Sequence, residues 1–258
     1  MHSKQSKWLW AAALFAYAFL YLPLIIVVVY SFNDSKLNAE WVGFTFKWYE
    51  ILFHDAQMLT AARNSLLIGL ITSICATVFG TLAGLAMYKY KLRLLPLLVL
   101  TPIAIPEILM GVSLLIFFVM LNMTLGLVSV TLAHIAFCIG FVAIVVRSRL
   151  QGMDESLVEA ARDLGATPVQ AFRLVTMPLI MPGIIAGALM AFTLSIDDFV
   201  ITFFTAGAGA STLPLQIYSM IRIAVTPEVN AISTLLMLLT LCLILLASKL
   251  APSALRAE

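Results

Sequence analysis

Six long runs of apolar residues, separated by short polar segments, follow one another along the chain. A transmembrane helix needs roughly 20 mostly apolar residues, and each of these runs is long enough to cross a bilayer. The first run is longer than the apolar core of about 7–15 residues in a cleaved signal peptide, so we interpret it as a retained helix. The predicted spans are Trp8–Tyr30, Ser65–Tyr88, Leu94–Leu121, Leu125–Val146, Leu179–Phe204 and Val229–Leu250.

Composition places this helical chain in lipid. Hydrophobic residues make up 62% of the chain and charged residues only 11%, and the mean hydropathy is +1.07. Soluble domains are about 25% charged, because their surfaces are solvated. The sequence therefore predicts an all-α membrane protein with six transmembrane helices. The net charge of +2 is too small to indicate a nucleic-acid partner.

The positions of the basic residues predict the orientation, because loops on the cytoplasmic side are enriched in Lys and Arg. With the N-terminus inside, eleven of the fifteen basic residues fall on the cytoplasmic side and four on the outer side. Both termini are therefore predicted to be cytoplasmic. The inner set is Lys4, Lys7, Lys89, Lys91, Arg93, Arg147, Arg149, Arg162, Arg173, Lys249 and Arg256, and the outer set is Lys36, Lys47, Arg63 and Arg222.

The cytoplasmic segment between the fourth and fifth spans is too charged to enter the bilayer, yet it contains strong helix signals. Asp154 is a suitable N-cap for a first helix, and Gly165 stands where a left-handed residue would end it. Thr167 and Gln170 form a capping box for a second helix, which we expect to end at Pro178. Composition alone leaves open an amphipathic connector at the membrane surface.

Glu159, Ala160 and Ala161 are followed by Gly165 and then by Met177 and Pro178. This series closely resembles the EAA---G---------I-LP signature of permease subunits in bacterial ATP-binding-cassette importers. Val175 stands in place of the usual Ile and Met177 in place of the usual Leu, both conservative apolar changes, and the spacing is intact. The resemblance implies a type I permease fold in which the segment at about 154–176 forms coupling helices that dock on a separate ATPase. The residues that carry this resemblance, and the implied coupling role, are Glu159, Ala160, Ala161, Gly165, Met177 and Pro178.

The resemblance extends over nearly the whole chain. It implies an N-terminal helix and periplasmic loop (1–60), a five-helix permease core (61–250) and a cytoplasmic tail (251–258). The runs YSFNDSKL (30–37), AFTLSIDDFVITFF (191–204) and LPLQIYSMIRIAVTPEVNA (213–231) are similar to the second permease subunit of spermidine/putrescine importers.

That subunit type implies a multi-pass permease in the bacterial inner membrane that forms half of a polyamine pathway. The implied partners are a homologous second permease, two ATPase subunits and a periplasmic binding protein. ATP and Mg²⁺ would be bound by the ATPase, and this chain would hold no cofactor. The choice between spermidine and putrescine would be made first by the binding protein.

Enzymatic signatures are missing from the sequence. There is no G-x-x-x-x-G-K-[ST] phosphate loop and no Cys–His or Ser–His–Asp constellation, so we predict a subunit without catalytic residues of its own. Cys75, Cys138 and Cys242 lack metal-site spacing. His134 lies within the fourth span, where we interpret it as a helix–helix hydrogen-bond partner.

Acidic residues within the apolar runs are the candidate pathway residues, because ionisable groups at membrane depth are costly unless they are paired or hydrated. Asp197 lies about 22 Å along a helix from Pro182, and Glu107 about 20 Å from Leu94. Asp198 shares a helical stripe with Ser195 and Thr202, so it is the predicted cavity-lining residue. The predicted pathway set is Asp198, Asp197, Glu107, Ser195 and Thr202.

Several alternatives remain open at this stage. The acidic residues could hold helices together or contact the partner permease. The prolines around Glu107 fit either a hinged pore-lining helix or simple kinked packing. The same machinery could import an amino acid, sulfate or iron. A secondary transporter would require an internal repeat that the sequence does not show, and a non-transporting scaffold would leave the acidic residues unexplained.

Overall fold

The computed structural model describes residues 7–35, 40–90 and 94–250, and most of them are helical. The predicted tail (251–258) and several basic residues of the orientation prediction, Lys4, Lys36, Lys91, Arg93 and Arg256, lie outside the described residues. The helices are α1 (Lys7–Tyr30), α2 (Lys47–His54), α3 (Ala56–Lys89), α4 (Leu94–Ala104), α5 (Glu107–Met120), α6 (Leu127–Gln151), α7 (Ser156–Asp163), α8 (Pro168–Ala171), α9 (Met177–Asp197), α10 (Val200–Thr205), α11 (Leu213–Ile221) and α12 (Pro227–Leu250).

Among the described residues, four helical stretches are long and apolar enough to cross a membrane: Trp8–Tyr30, Ala56–Lys89, Leu127–Gln151 and Pro168–Asp197. Helices α4 and α5 make a fifth if they are counted together as one broken span. The apolar part of α12, Pro227–Leu243, is shorter. The all-helical prediction is confirmed, and the described residues give four or five spans.

The predicted third span, Leu94–Leu121, is not one straight helix. It divides after Ala104, and α4 and α5 meet at an angle of 106°. Proline has no backbone N–H to donate to the preceding turn, so Pro106 cannot continue α4 and instead precedes the first residue of α5. The predicted interruption by proline is therefore confirmed as a sharp break.

The described residues fall into two compact units. One lies within Met1–Leu59 and Ile217–Leu239. In it, Asn33 organises the turn after α1: its amide donates to the carbonyl of Glu40 (2.8 Å), and its Oδ1 accepts from the N–H of Val42 (2.9 Å). The indole of Trp48 donates to the Asn33 carbonyl at 2.7 Å and is only 6% exposed. Trp48 is thus a core residue of this unit.

The second unit lies within Thr60–Gln216 and Thr240–Glu258, and α6 is its central helix. Helix α6 has buried residues along its whole length, and α4, α9 and α10 pack against it. A Cβ atom on Gly80 of α3 would lie 2.6 Å from Cβ of Val142, and one on Gly187 of α9 would lie 3.1 Å from its Cγ1. The small residues therefore let two helices approach α6 closely, as small-xxx-small spacing predicts.

Candidate functional site

Two regions of the second unit contain the residues that the sequence singled out. The first is the break between α9 and α10, which we call the acidic junction (residues 195–202). Helix α9 ends at Asp197, Asp198 is extended (φ −67°, ψ 124°), and α10 begins at Val200. The prediction of one continuous helix through Phe204 is therefore wrong.

The carboxylate of Asp198 explains why the helix breaks there. Its Oδ1 accepts from the backbone N–H of Thr202 at 2.8 Å, and its Oδ2 lies 3.4 Å from the N–H of Ile201. The hydroxyl of Thr202 also lies 2.9 Å from Oδ1. These contacts satisfy the free N–H groups at the start of α10, as a capping side chain does. The break is therefore a specified feature of the backbone.

His134 of α6 joins the two sides of this break. Its Nδ1 lies 2.7 Å from the Ser195 hydroxyl on α9. Its Nε2 lies 3.1 Å from Oδ1 of Asp198 and 2.9 Å from the hydroxyl of Thr202. The side chains of His134 and Asp198 are 2% and 6% exposed, and Ser195 and Thr202 are also buried. The interpretation of His134 as a helix–helix hydrogen-bond partner is confirmed.

The two adjacent aspartates have different surroundings. Asp198 is enclosed and hydrogen-bonded, whereas Asp197, the last residue of α9, is exposed. The stripe argument favoured Asp198 as the side chain that faces a cavity. In the folded chain, its carboxylate faces His134 instead, because the break at residues 198–199 changes the direction of the backbone. The accessible carboxylate at the junction belongs to Asp197.

Glu107 is the first residue of α5, directly after the proline break, and it is exposed. Helix α5 packs against α10: a Cβ atom on Gly111 would lie only 2.7 Å from the Phe204 ring. Helix α5, which begins with Glu107, and helix α10, which follows Asp198, are therefore neighbours.

Within the described residues, no group of three His, Cys, Asp or Glu side chains could hold a metal ion.

The second region is the charged segment after α6, which we call the coupling hairpin (residues 154–178). Helix α7 ends near Gly165, whose φ of +92° is the left-handed conformation that glycine adopts without strain. Thr167 accepts from the N–H of Gln170, and the Gln170 side chain accepts from the N–H of Thr167. The predicted glycine turn and capping box are both confirmed.

The predicted end of the second hairpin helix at Pro178 is wrong. Helix α8 continues through a π-helical segment, Phe172–Thr176, into α9, and Pro178 lies in the first turn of α9. A proline interrupts an α-helix because it has no N–H for the carbonyl four residues earlier. The wider π turn changes that hydrogen-bonding pattern just before the proline, so the helix continues.

The coupling hairpin presents an open cleft of about 490 Å³, lined by Glu159, Arg162, Asp163, Gly165, Ala166 and Pro168. Glu159 and Ala160 are exposed, and Ala161 and Met177 are partly buried. The phenol of Tyr88, at the end of α3, donates to the Glu155 carboxylate next to α7. The hairpin is therefore attached both to α9 and to α3.

Asp154 holds the start of α7. Its carboxylate accepts from the backbone N–H of Ser156 at 3.0 Å. Hydrogen bonds from the side chain and the backbone of Ser156 hold the pKa of this carboxyl below its ordinary value. The predicted capping role of Asp154 is thus confirmed, although α7 begins two residues later.

Comparison with known proteins places this geometry among transporters. Residues 76–253 match the family described as "Binding-protein-dependent transport system inner membrane component". The chain is 41% identical over 238 residues to the spermidine/putrescine transport system permease protein PotC of Escherichia coli strain K12, which covers 91% of this chain and 90% of that protein. It is 40% identical over 243 residues to the putrescine transport system permease protein PotI of the same strain, covering 90% and 86%.

Solved structures share the fold. A chain of a bacterial alginate ABC transporter, in complex with its alginate pentasaccharide-bound periplasmic protein, superimposes with a TM-score of 0.71 at 16% identity. The match covers 96% of both chains. At this identity the likeness concerns the fold alone.

Proposed function

This chain belongs to the family of binding-protein-dependent transport system inner membrane components, and from that membership we propose that it is the permease subunit of an ATP-driven polyamine importer. The observation that carries the substrate class is the 40–41% identity, over at least 90% of the chain, to permeases named for spermidine/putrescine and putrescine transport. The subunit forms half of the translocation pathway and is not itself catalytic.

In the bilayer, the subunit has six spans with both termini in the cytoplasm of a bacterial cell, and it lies in the inner membrane. The broken pair α4–α5 supplies the third span and α12 the sixth. Helix α12 supports this assignment, since its 24 residues include a long apolar stretch. The excess of Lys and Arg in the inner segments supports the orientation.

The energy comes from partners. A homologous permease completes the pathway, two ATPase subunits bind ATP and Mg²⁺, and a periplasmic binding protein delivers the substrate. The coupling hairpin meets the ATPase through the cleft beside Glu159, where a carboxylate and the thin surface of Ala160 and Ala161 suit close docking. Gly165 keeps the turn tight, and Met177 and Pro178 begin the helix that leads into the membrane.

The pathway passes the acidic junction. Polyamines are flexible chains of ammonium groups, and carboxylates at membrane depth offset the cost of bringing those charges out of water. Asp197 and Glu107 are exposed and offer such carboxylates. The hydrogen bonds of His134 to Ser195, Asp198 and Thr202 fix the backbone that carries Asp197.

Uptake measurements test this function. A strain without its own polyamine permeases would receive this subunit together with its companion permease, ATPase and binding protein, and the uptake of radiolabelled spermidine, putrescine, sulfate and iron would be followed. Polyamine uptake that depends on this subunit is expected. Uptake of sulfate or iron with no polyamine uptake would contradict the proposal and favour an importer of the same fold for another solute.

A further inference from the structure

A second cavity lies near the end of α6, and its lining shares no residue with the acidic junction or the coupling hairpin. Its volume is about 280 Å³, and it lies between α3, α4 and α6. It is lined by three apolar side chains, one partly exposed arginine and two exposed polar residues. In that order they are Met87, Leu100 and Ile144, then Arg147, then Ser148 and Gln151. The substrate pathway and the coupling cleft use none of these residues.

Arg147 is the unusual member of this lining. Its Nε atom is buried, yet it has no hydrogen-bond acceptor among the residues that the structure describes. Two positions later on the same helix, Arg149 donates from its Nε to the carbonyl of Leu179 at 3.2 Å. A buried donor that has lost water without gaining an acceptor is costly, so such a group points to an acceptor that binds from outside the chain.

The chemistry of that acceptor follows from the guanidinium group. Its planar fork of N–H donors matches the paired oxygens of a phosphate or carboxylate, and it stays charged under all physiological conditions. Ser148 and Gln151 add neutral hydrogen-bonding groups on the same helix. The cavity therefore suits an oxyanion, with the Nε of Arg147 as one donor.

The apolar part of the lining shows which source of oxyanion fits. Met87 and Leu100 come from two different helices, and Ile144, one turn before Arg147 on α6, is 43% exposed. A free phosphate ion has no apolar atoms to pack against these side chains. A phospholipid does, because glycerol and acyl carbons lie next to its phosphate. Basic pockets between membrane helices on the cytoplasmic side bind anionic lipid headgroups in this manner.

We propose that the cavity between α3, α4 and α6 is a binding site for the phosphate group of an anionic phospholipid, held by the guanidinium of Arg147. The site's position on the inner leaflet rests on the orientation given under the proposed function. Lys89, in the last turn of α3, adds positive charge at that end of the helix.

Lipid retention by the purified full-length chain tests this site. The chain would be purified in a neutral detergent and titrated with phosphatidylglycerol, with phosphatidylcholine or with inorganic phosphate. Bound lipid would be counted by native mass spectrometry, and thermal melting would be followed in parallel. We expect phosphatidylglycerol to be retained about tenfold better than phosphatidylcholine and to raise the melting temperature, because the pair is charge-assisted and bidentate.

Arg147→Gln is expected to remove this preference, whereas Arg63→Gln, which changes an exposed arginine near the other end of α3, should leave it intact. Leu100→Trp fills part of the cavity from its apolar wall while Arg147 itself is retained, and it should also reduce retention. This second variant keeps the test decisive if Arg147→Gln does not fold.

Equal retention of phosphatidylglycerol by wild type and by a folded Arg147→Gln or Leu100→Trp variant would overturn the site. Stabilisation by inorganic phosphate equal to that by phosphatidylglycerol would overturn the lipid assignment and leave a phosphate site. Neither measurement uses polyamine or ATPase. Their failure is therefore distinguishable from failure of the proposed transport function.

Discussion

The Nε2 atom of His134 lies 3.1 Å from the Oδ1 atom of Asp198, a residue 64 positions further along the chain. This contact connects the central helix α6 to the break between α9 and α10. Because Asp198 also caps α10 through the N–H of Thr202, the histidine acts on the backbone through the carboxylate. It is a positioning residue, and the carboxylate beside it, on Asp197, is the accessible one.

Replacing His134 tests this arrangement first. His134→Ala leaves the buried Asp198 carboxylate without one of its partners, so we expect a loss of about 1–3 kcal/mol in the free energy of unfolding. Thermal or denaturant unfolding of the purified chain would measure it. In a double-mutant cycle with Asp198→Asn, the two losses of unfolding free energy should be non-additive by about 0.5–3 kcal/mol. Strict additivity would show that the contact does not contribute to stability.

The two aspartates should respond differently to loss of charge. Asp197→Asn is expected to reduce polyamine uptake about tenfold, a change of about 1.4 kcal/mol, while the unfolding free energy stays unchanged, because its carboxylate is exposed. Asp198→Asn is expected to destabilise the chain, because its carboxylate is buried and capped to α10. Normal uptake by a well-folded Asp197→Asn variant would remove Asp197 from the pathway.

Glu159 is the test of coupling. Glu159→Ala removes an exposed carboxylate from the cleft of the coupling hairpin, so uptake and association with the ATPase should fall at least about fivefold while folding is unaffected. Glu50→Ala is the matched control, since Glu50 is also an exposed glutamate in the first turn of a short helix. Co-purification of the ATPase and substrate uptake would be compared, and equal behaviour of the two variants would exclude the coupling role.

Gly165 tests the shape of the hairpin. An L-residue in its left-handed conformation costs about 1–2 kcal/mol, so Gly165→Ala should loosen the turn and weaken ATPase association. Gly152→Ala is the control, because Gly152 has a φ of −88° and a Cβ there would meet only ordinary contacts at 3.8 Å or more. Limited proteolysis would detect the loosened hairpin. Identical cleavage of both variants would argue against a requirement for the turn.

The Tyr88–Glu155 contact gives a fifth prediction. Tyr88→Phe removes the hydroxyl that ties α3 to the start of the coupling hairpin, while the ring remains in place. We expect faster proteolysis between α6 and α7 and ATP hydrolysis that is less dependent on substrate, because one attachment of the hairpin is lost. Glu155→Ala, which removes the acceptor, should produce the same change. ATPase assays of the assembled transporter with and without loaded binding protein would check it.

Sequence patterns predicted those parts of the structure that depend on neighbouring residues. Apolar run length predicted the long apolar helices, four or five of which are long enough to cross a membrane in the described residues. The turn at Gly165 and the capping box of Thr167 and Gln170 depend on residues a few positions apart. Proline chemistry indicated the interruption before Glu107. In each case the physical cause lies within one or two helical turns of the residue itself.

Contacts between residues that are far apart in the sequence could not be predicted from local sequence patterns. Nothing in the local sequence shows that His134 contacts Asp198. The prediction that Ser195, Asp198 and Thr202 share one helical face assumed a continuous helix, whereas the helix breaks at Asp198. Nothing in the local sequence shows that the indole of Trp48 donates to the carbonyl of Asn33, fifteen residues earlier. The cavity at Arg147 joins three helices, and only their packing shows that its Nε has no acceptor among the described residues.

The uninterrupted stretch from Pro168 to Asp197 has a mechanical consequence. Its 30 residues form one rod about 45 Å long, with the coupling hairpin at one end and the exposed carboxylate at the other. If the partner ATPase of the proposed function moves the Pro168 end, Asp197 at the other end of the same helical stretch moves with it, and the five-residue π segment sets the rotation between the two ends. Adding or deleting one residue there would turn the far end by about 100° relative to the hairpin.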